Sequence, residues 1–152
     1  GETDDAIAKK IRRALDTKLT PILCIGEGHR DPDGAFFAVI RTQLERALAL
    51  VKQNEAGRLV IAYEPVWAVG TGHKAATPKD AAEAALFIKK TIAARFGSAR
   101  AKSLRVLYGG STSPDNAASF LAERDVAGLL VGRESLNPKS FISIIQCART
   151  NS

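Results

Sequence analysis

The stretch Leu59–Gly72, LVIAYEPVWAVGTG, changes character in its middle. Its first five residues, Leu59–Tyr63, form an apolar run, and a carboxylate, Glu64, follows with a proline directly after it. A short run that is apolar throughout is typical of a strand that is buried on both faces of a parallel sheet. The stretch therefore predicts a buried parallel strand that ends at an acidic residue.

Three further apolar runs of similar length occur along the chain, and each ends in glycine or in a loop rich in glycine, proline and serine. These runs cover 21–25, 104–108 and 127–131. Helical patterns precede the first run and follow all four, at 4–19, 36–53, 77–97, 113–124 and 137–149. The order of one helix, then strand and helix four times, predicts a parallel α/β fold. It leaves open whether the sheet is doubly wound or part of a barrel.

Residue types mark several helix ends. Proline directly follows a possible capping side chain at Thr77, Ser113 and Asn137, which predicts an N-cap at each of these positions. Gly97 predicts the end of the helix that begins after Thr77. No G-x-G-x-x-G follows any of the runs, which argues against a dinucleotide-binding domain.

The composition is that of an ordinary globular domain, with 152 residues of which 45% are hydrophobic and 25% charged. The length suits a single domain, and the absence of methionine leaves open that residues 1–152 are an incomplete piece of a longer protein. No apolar run approaches the roughly 20 residues of a membrane helix. The net charge of +6 is spread over helical patterns without interleaved aromatic residues, so we predict neither a nucleic-acid partner nor a membrane. A positive field can still attract a small anionic substrate.

The cysteine and histidine residues give only weak indications of a catalytic or metal site. Cys24 and Cys147 lie in apolar segments, and we predict that both are buried reduced thiols, with catalysis by Cys24 as the minor alternative. His29 and His73 each lack a second ligand at metal spacing. We predict surface loop positions for both histidines and no metal site.

Ligands of α/β folds bind at the carboxyl ends of the strands, and two of these ends are rich in glycine. Gly109, Gly110 and Ser111 follow the third run, and Gly132 follows the fourth. Glycine leaves backbone N–H groups accessible, and such groups from two neighbouring loops form an anion site. Each glycine alone is equally compatible with a tight turn, but the pair of loops favours phosphate binding.

Glu64 is the second candidate functional residue. An acid at the end of a buried strand is partly desolvated, which raises its pKa and makes it a better general base. The alternative is a carboxylate at the rim of the fold that forms a salt bridge.

The stretch Ala62–Gly72 closely resembles the signature of the triosephosphate isomerases. Further motifs agree in order and nearly in spacing, namely GETD at Gly1, CIGE at Cys24, YGGS at Tyr108 and LVGRESL at Leu130. The resemblance covers all 152 residues. It implies the C-terminal half of a (β/α)8 TIM barrel, with parallel strands five to eight and flanking helices, from a chain of about 250 residues.

The resemblance also implies functional roles. Glu64 would be the catalytic base that moves a proton between neighbouring carbons at the carbonyl of a small phosphorylated triose, with no metal or other cofactor. Residues 65–76 would form a lid that excludes water, and Trp67 would bond alternately to Glu27 and Tyr63. The phosphate would be bound by Gly70, Ser111, Gly132 and Arg133. The lid and its apolar clamp would include Pro65, Trp67, Val69, Tyr108 and Leu130.

Four departures from the family pattern stand out. Arg133 replaces a second glycine, Val69 replaces the commoner isoleucine, and the segment 70–78 is one residue longer than usual. The family's substrate-binding lysine and its histidine electrophile belong to the N-terminal half and have no counterpart in this sequence. The loop that the family inserts into its dimer partner has none either.

Two main readings of function follow. In the first, the chain is part of a cytoplasmic triosephosphate isomerase that forms a homodimer at full length. In the second, the 152 residues are an inactive half-barrel that binds phosphate weakly or self-associates through open sheet edges. Another phosphate-binding barrel enzyme is a weaker alternative, because the Glu-Pro-x-Trp pattern argues against it.

Overall fold

A computed structural model describes residues 1–68 and 76–150 of the chain. The strands are β1 Ile22–Ile25, β2 Val60–Tyr63, β3 Arg105–Tyr108 and β4 Gly128–Leu129. The helices are α1 Asp4–Asp16, α2 Phe36–Ala47, α3 Pro78–Phe96, α4 Ser98–Ser103, α5 Pro114–Leu121 and α6 Pro138–Thr150. Short 3₁₀ helices cover Ala56–Arg58, Val66–Ala68 and Arg133–Leu136. The predicted order of elements is confirmed, with α4 as an addition.

The predicted helix 36–53 ends earlier than its apolar pattern suggests. α2 stops at Ala47, and Leu48 takes φ −94° and ψ 6°. The carbonyl of Leu48 accepts hydrogen bonds from the N–H of Val51 at 3.0 Å and from the Arg95 guanidinium at 3.0 Å. Leu48 and Val51 remain buried in the turn, so their burial prolonged the helical pattern beyond the helix itself.

Two of the three predicted caps, Thr77 and Asn137, accept hydrogen bonds through their side chains, whereas the Ser113 side chain makes no capping bond to the described residues. The Thr77 hydroxyl accepts a hydrogen bond from the N–H of Asp80 at 3.2 Å, and the Asp80 carboxylate accepts one from the N–H of Thr77 at 2.8 Å. The Asn137 side chain accepts from the N–H of Lys139 at 3.0 Å. Gly97 ends α3 with φ 87°, a conformation that favours glycine.

All four strands are parallel and lie in the order β1-β2-β3-β4. In this order, each strand lies beside the previous one and always toward the same edge of the sheet. Right-handed crossovers then place every connecting helix on the same face of the sheet. A doubly wound sheet reverses its strand order and has helices on both faces. The observed order therefore supports barrel-like winding, and the core lies between the sheet and its single helical layer.

The opposite face of the sheet is covered by no helix among the described residues. In β1, Leu23 and Ile25 are buried, whereas Ile22 is 49% exposed and Cys24 is also exposed. The prediction that every strand is buried on both faces is therefore wrong for β1, because only its helical face has neighbours that exclude water. The prediction of two buried thiols fails for the same reason at Cys24, and Cys147 is only half-buried.

Candidate active site

The residues that follow the four strands form one row at the carboxyl edge of the sheet. Glu64 donates its N–H to the carbonyl of Ile25 at 2.7 Å, which continues the β1–β2 ladder. Gly109 donates to Tyr63 at 2.9 Å, and Leu130 donates to Tyr108 at 2.9 Å. The residues that follow the strands side by side are therefore Gly26, Glu64, Gly109 and Leu130. Because side chains alternate along a strand, this row shares the uncovered face with Cys24 and not the helical face with Ile25.

Glu64 is half-buried, and the glycines on either side approach it closely. A Cβ added at Gly109 would lie 2.6 Å from Cγ of Glu64 and 2.9 Å from its Oε1. A Cβ at Gly26 would lie 1.9 Å from the Glu64 carbonyl oxygen. Glycine is therefore required at Gly26 by the backbone of Glu64 and Pro65, and at Gly109 by the Glu64 side chain. The backbone at Gly26 is further fixed by Gln43, whose amide donates to its carbonyl and accepts from its N–H, both at 3.0 Å.

Cys24 lies one position before the end of β1, on the sheet face that it shares with Glu64. Partial desolvation, together with this carboxylate, raises the pKa of the Cys24 thiol to about 12. The thiolate is the reactive form of cysteine, so Cys24 stays protonated near neutral pH. The raised pKa therefore argues against catalysis by a Cys24 thiolate.

The loops that follow β3 and β4 enclose a single cavity of about 220 Å³. Its lining consists of Gly109, Gly110, Ser111, Thr112, Gly132, Arg133 and Glu134. No described residue accepts a hydrogen bond from the backbone N–H of Ser111, Gly132 or Arg133. The cavity thus combines accessible N–H groups with a cationic side chain. Three of the four predicted phosphate ligands lie in it.

A larger surface depression of about 600 Å³ lies elsewhere, between α2 and α3. Its lining includes Arg41, Phe87 and Arg95, all on the outer helical layer. Ligands of this class of fold bind at the carboxyl ends of strands. We therefore assign the candidate site to the smaller cavity beside Glu64.

Tyr108, the last residue of β3, packs against the loop that follows β3. Its ring stacks on Phe120 with centroids 4.0 Å apart, and a Cβ at Gly110 would lie 2.2 Å from the Tyr108 hydroxyl. The hydroxyl is buried and has no hydrogen-bond partner among the described residues. Burial, with a smaller contribution from Asp80, raises the pKa of Tyr108 to about 12, so the hydroxyl remains a donor.

The remaining predicted positions differ in burial. Pro65 is buried, Trp67 and Leu130 are half-buried, and Arg133 is exposed. Of the two hydrogen bonds expected for Trp67, this structure has the one to Glu27, at 2.8 Å. Val69 and Gly70 lie outside the described residues, as does His73. His29 is exposed in its loop, as predicted.

Two residues near the site were not singled out from the sequence. Arg30 contacts Tyr63 and Glu83, and Gln43 holds Gly26. Gln43 was detectable, because it is a polar residue on the helical stripe that also contains the buried Ile40 and Leu44. Arg30 lies in a loop and follows no periodic pattern.

Two kinds of feature are absent from the described residues. No helix in 1–68 or 76–150 is long and apolar enough to cross a membrane. Within the same ranges, no cluster of three or more His, Cys, Asp or Glu side chains could hold a metal ion.

Comparison with known proteins gives the family. The sequence model described as triosephosphate isomerase matches residues 1–148. The chain belongs to the triosephosphate isomerase family. Its relatives named triosephosphate isomerase include proteins from Caldanaerobacter subterraneus subsp. tengcongensis, 45% identical over 145 residues, and from Roseiflexus sp. (strain RS-1), 44% identical over 146 residues. A third, from Solibacter usitatus, is 42% identical over 145 residues.

These matches cover most of this chain but only part of each relative. Each covers 95% of the chain, and 57% to 58% of the relative's length. The chain therefore spans little more than half the length of the triosephosphate isomerases that it matches. The four-stranded parallel sheet with helices on one face agrees with a portion of a barrel of this family.

Proposed function

We propose that this chain is the part of a triosephosphate isomerase that carries its catalytic base, in a protein that interconverts dihydroxyacetone phosphate and D-glyceraldehyde 3-phosphate. One observation carries the proposal: a half-buried carboxylate, Glu64, lies in the same strand-end row as the Gly109 loop, whose cavity has accessible N–H groups. A base beside an anion site is what proton abstraction from a phosphorylated carbonyl compound needs.

In this proposal Glu64 takes a proton from the carbon next to the carbonyl and returns it to the neighbouring carbon. Its position supports this role, because the Glu64 side chain packs directly against Gly109, the first residue of the loop that lines the cavity. The neighbouring Cys24 is compatible with it, since its raised pKa keeps the thiol neutral and puts no second negative charge near the base. No residue in this step requires a metal or an organic cofactor.

The phosphate would be bound at the cavity between the loops. Backbone N–H groups of Ser111, Gly132 and Arg133 would contact its oxygens, with Gly70 as a further donor that the family resemblance implies. Arg133 differs from the family's glycine, and its guanidinium has no ion-pair partner among the described residues. We infer that this side chain adds a positive charge at the edge of the phosphate site.

The remaining positions would control access to the site. We propose that Pro65 and Trp67 belong to the first part of a lid and that the Tyr108 hydroxyl and Ser111 hold this lid closed. Val69 and Leu130 would exclude water from the carboxylate. The buried, unpartnered hydroxyl of Tyr108 supports its part in this, because a buried donor without an acceptor needs one.

The proposal extends to the whole protein. We infer that the chain supplies strands five to eight of the barrel, and that the full-length parent is a cytoplasmic homodimer. The residues that the family uses as lysine ligand and histidine electrophile would come from the other half. By themselves, the 152 residues are then expected to bind phosphate without measurable isomerisation.

The test is an isomerase assay on the full-length protein with Glu64→Gln, which keeps the size of the side chain and removes its basicity. We expect kcat to fall by about 10²- to 10⁴-fold, the usual contribution of a general base. The matched control is Glu45→Gln, an exposed carboxylate on α2, which should leave kcat unchanged. Near-normal kcat in Glu64→Gln would overturn the proposal, and so would a full-length protein without isomerase activity.

A further inference from the structure

Arg30, in the loop between β1 and α2, lies among acidic and aromatic side chains from several elements. Its Nη1 donates to the Tyr63 hydroxyl at 3.2 Å, its Nε lies 3.4 Å from Oδ1 of Asp80, and its Nη2 pairs with Glu83. The guanidinium also lies over the ring of Phe36, 4.3 Å from the centroid. Only 14% of the Arg30 side chain is exposed, so these contacts surround most of it.

Glu27 explains why a cation is needed at this place. Its side chain is 1% exposed, and its Oε1 accepts hydrogen bonds from the Tyr63 hydroxyl and from Nε1 of Trp67, both at 2.8 Å. Its Oε2 has no partner among the described residues. A buried carboxylate is costly unless a positive charge compensates it, and Nη1 of Arg30 lies 3.8 Å from Oε1.

The same arginine reaches the start of α3. Asp80 accepts hydrogen bonds from the N–H and the hydroxyl of Thr77, both at 2.8 Å, through its Oδ2. Its other oxygen, Oδ1, faces Arg30. Contacts therefore run without a break from Trp67, after β2, through Glu27, Arg30 and Asp80 to Thr77, before α3.

We propose that Arg30 is a positioning residue that keeps the chain after β2 and the start of α3 at a fixed separation, through Glu27 and Trp67 on one side and Asp80 and Thr77 on the other. The planar guanidinium can bond several acceptors in different directions, which a lysine ammonium on a flexible stem does less well. Tyr63 and Trp67 flank Glu64 in sequence, so a loss of this separation also displaces the proposed base. That last consequence rests on the proposed function, but the positioning itself does not.

Trp67 is the only tryptophan of the chain, so its fluorescence reports on this cluster directly. In the 152-residue chain, Arg30→Gln should shift the emission to longer wavelength and increase acrylamide quenching about twofold, because a coupled polar network loosens when one member is removed. Arg30→Lys should give a smaller shift in the same direction. The matched control is Arg46→Gln, which removes the same charge from an exposed position on α2 and should change neither quantity.

A double-mutant cycle with Glu27→Gln separates positioning from general loss of stability. Arg30→Gln should lower the urea midpoint more strongly in the parent than in the Glu27→Gln background, where no buried charge is left without its cation. If circular dichroism shows that Arg30→Gln does not fold, Arg30→Lys takes its place in the cycle.

Unchanged emission and quenching in a folded Arg30 variant would overturn the proposal, and so would equal midpoint shifts in both backgrounds. In the full-length protein, a lower kcat for Arg30→Lys with an unchanged KM would extend the positioning role to catalysis. If Glu64→Gln remained active while Arg30→Gln still altered Trp67 fluorescence, the proposed function would fail and the positioning role would stand.

Discussion

The carboxyl end of β2 and the carboxyl end of β4 are built in different ways. Around Glu64, a Cβ at either neighbouring glycine would overlap existing atoms, at 1.9 Å for Gly26 and at 2.6 Å for Gly109. After β4, a Cβ at Gly132 would meet nothing within 4 Å, and Arg133 beside it is exposed. Packing therefore requires glycine at positions 26 and 109, on either side of Glu64, whereas no neighbouring atom requires glycine at position 132.

In the proposed function, this difference separates positions that would hold the base from positions that would face the ligand. Where packing requires a particular residue, a substitution should mainly lower the free energy of unfolding. Where the neighbouring space is open, a substitution should show in ligand binding and leave stability nearly unchanged. Variants at the two strand ends therefore test whether packing accounts for the difference.

The largest effect is expected for Gly26→Ala, because the added methyl group would overlap the backbone of Glu64 and Pro65, which cannot move aside easily. We expect a loss of about 3 kcal/mol in the free energy of unfolding, at the upper end for overpacked sites. Urea denaturation measures it. Gly28→Ala in the same loop is the control, because a Cβ there meets nothing within 4 Å. Equal stabilities of the two variants would contradict the packing argument.

A smaller loss is expected for Gly110→Ala, where the methyl group would meet the hydroxyl of the buried Tyr108 instead of backbone. Tyr108 stacks on Phe120, so it can shift only by disturbing this pair. We expect a loss of about 2 kcal/mol. The methyl group would also lie 2.5 Å from Cζ and 2.9 Å from Cε2 of Tyr108. Gly110→Ala should therefore cost much less in a Tyr108→Leu background, which lacks the ring. A full loss in that background would point to another cause.

Beyond β4, Arg133→Gln should leave the free energy of unfolding within about 0.5 kcal/mol, as is usual for an exposed residue without a partner. Binding of inorganic phosphate to the chain, followed by NMR shifts of the Ser111 and Gly132 amides, should weaken by about fivefold, the effect of roughly 1 kcal/mol. Arg124→Gln, an exposed arginine away from the cavity, is the control. Unchanged phosphate affinity in Arg133→Gln would exclude its guanidinium from the site.

The smallest effect concerns the ion pair of Arg12 and Glu55, which joins α1 to the loop before β2. Hydrogen bonds from the Arg12 guanidinium, at 2.6 and 2.7 Å, lower the pKa of Glu55 from 4.5 to about 2. Because the folded state depresses this pKa, the contribution of Glu55 is complete above pH 4.5 and is lost as the pH falls toward 2. The stability difference between the parent and Glu55→Gln should therefore shrink between pH 6 and pH 2.5. A difference that does not depend on pH would contradict this assignment.

The sequence predicted the elements that have a regular pattern or a capping residue. The four apolar runs correspond to β1–β4, and Thr77 and Asn137 cap their helices as expected. It did not predict the uncovered sheet face, because an apolar run does not reveal whether one or both of its faces meet neighbours. The end of α2 was misplaced since Leu48 and Val51 are buried in a turn that continues the helical pattern.

The candidate site was predictable only in part. Glu64 and the Gly109 and Gly132 loops could be recognised from their positions after apolar runs, and the 220 Å³ cavity joins the two loops. The close approach of Gly26 and Gly109 to Glu64, and the contacts of Arg30, depend on distances between residues that are far apart in sequence. No local pattern encodes such distances.

The central claim is that Glu64 transfers the proton, and deuterium incorporation tests it most directly. Dihydroxyacetone phosphate is incubated with the full-length protein in D₂O, and deuterium at the carbon next to the carbonyl is measured by NMR. We predict that Glu64→Gln slows this incorporation by the same factor as turnover, about 10²-fold or more. Incorporation at the parent rate in Glu64→Gln would show that another group moves the proton, and would contradict the account.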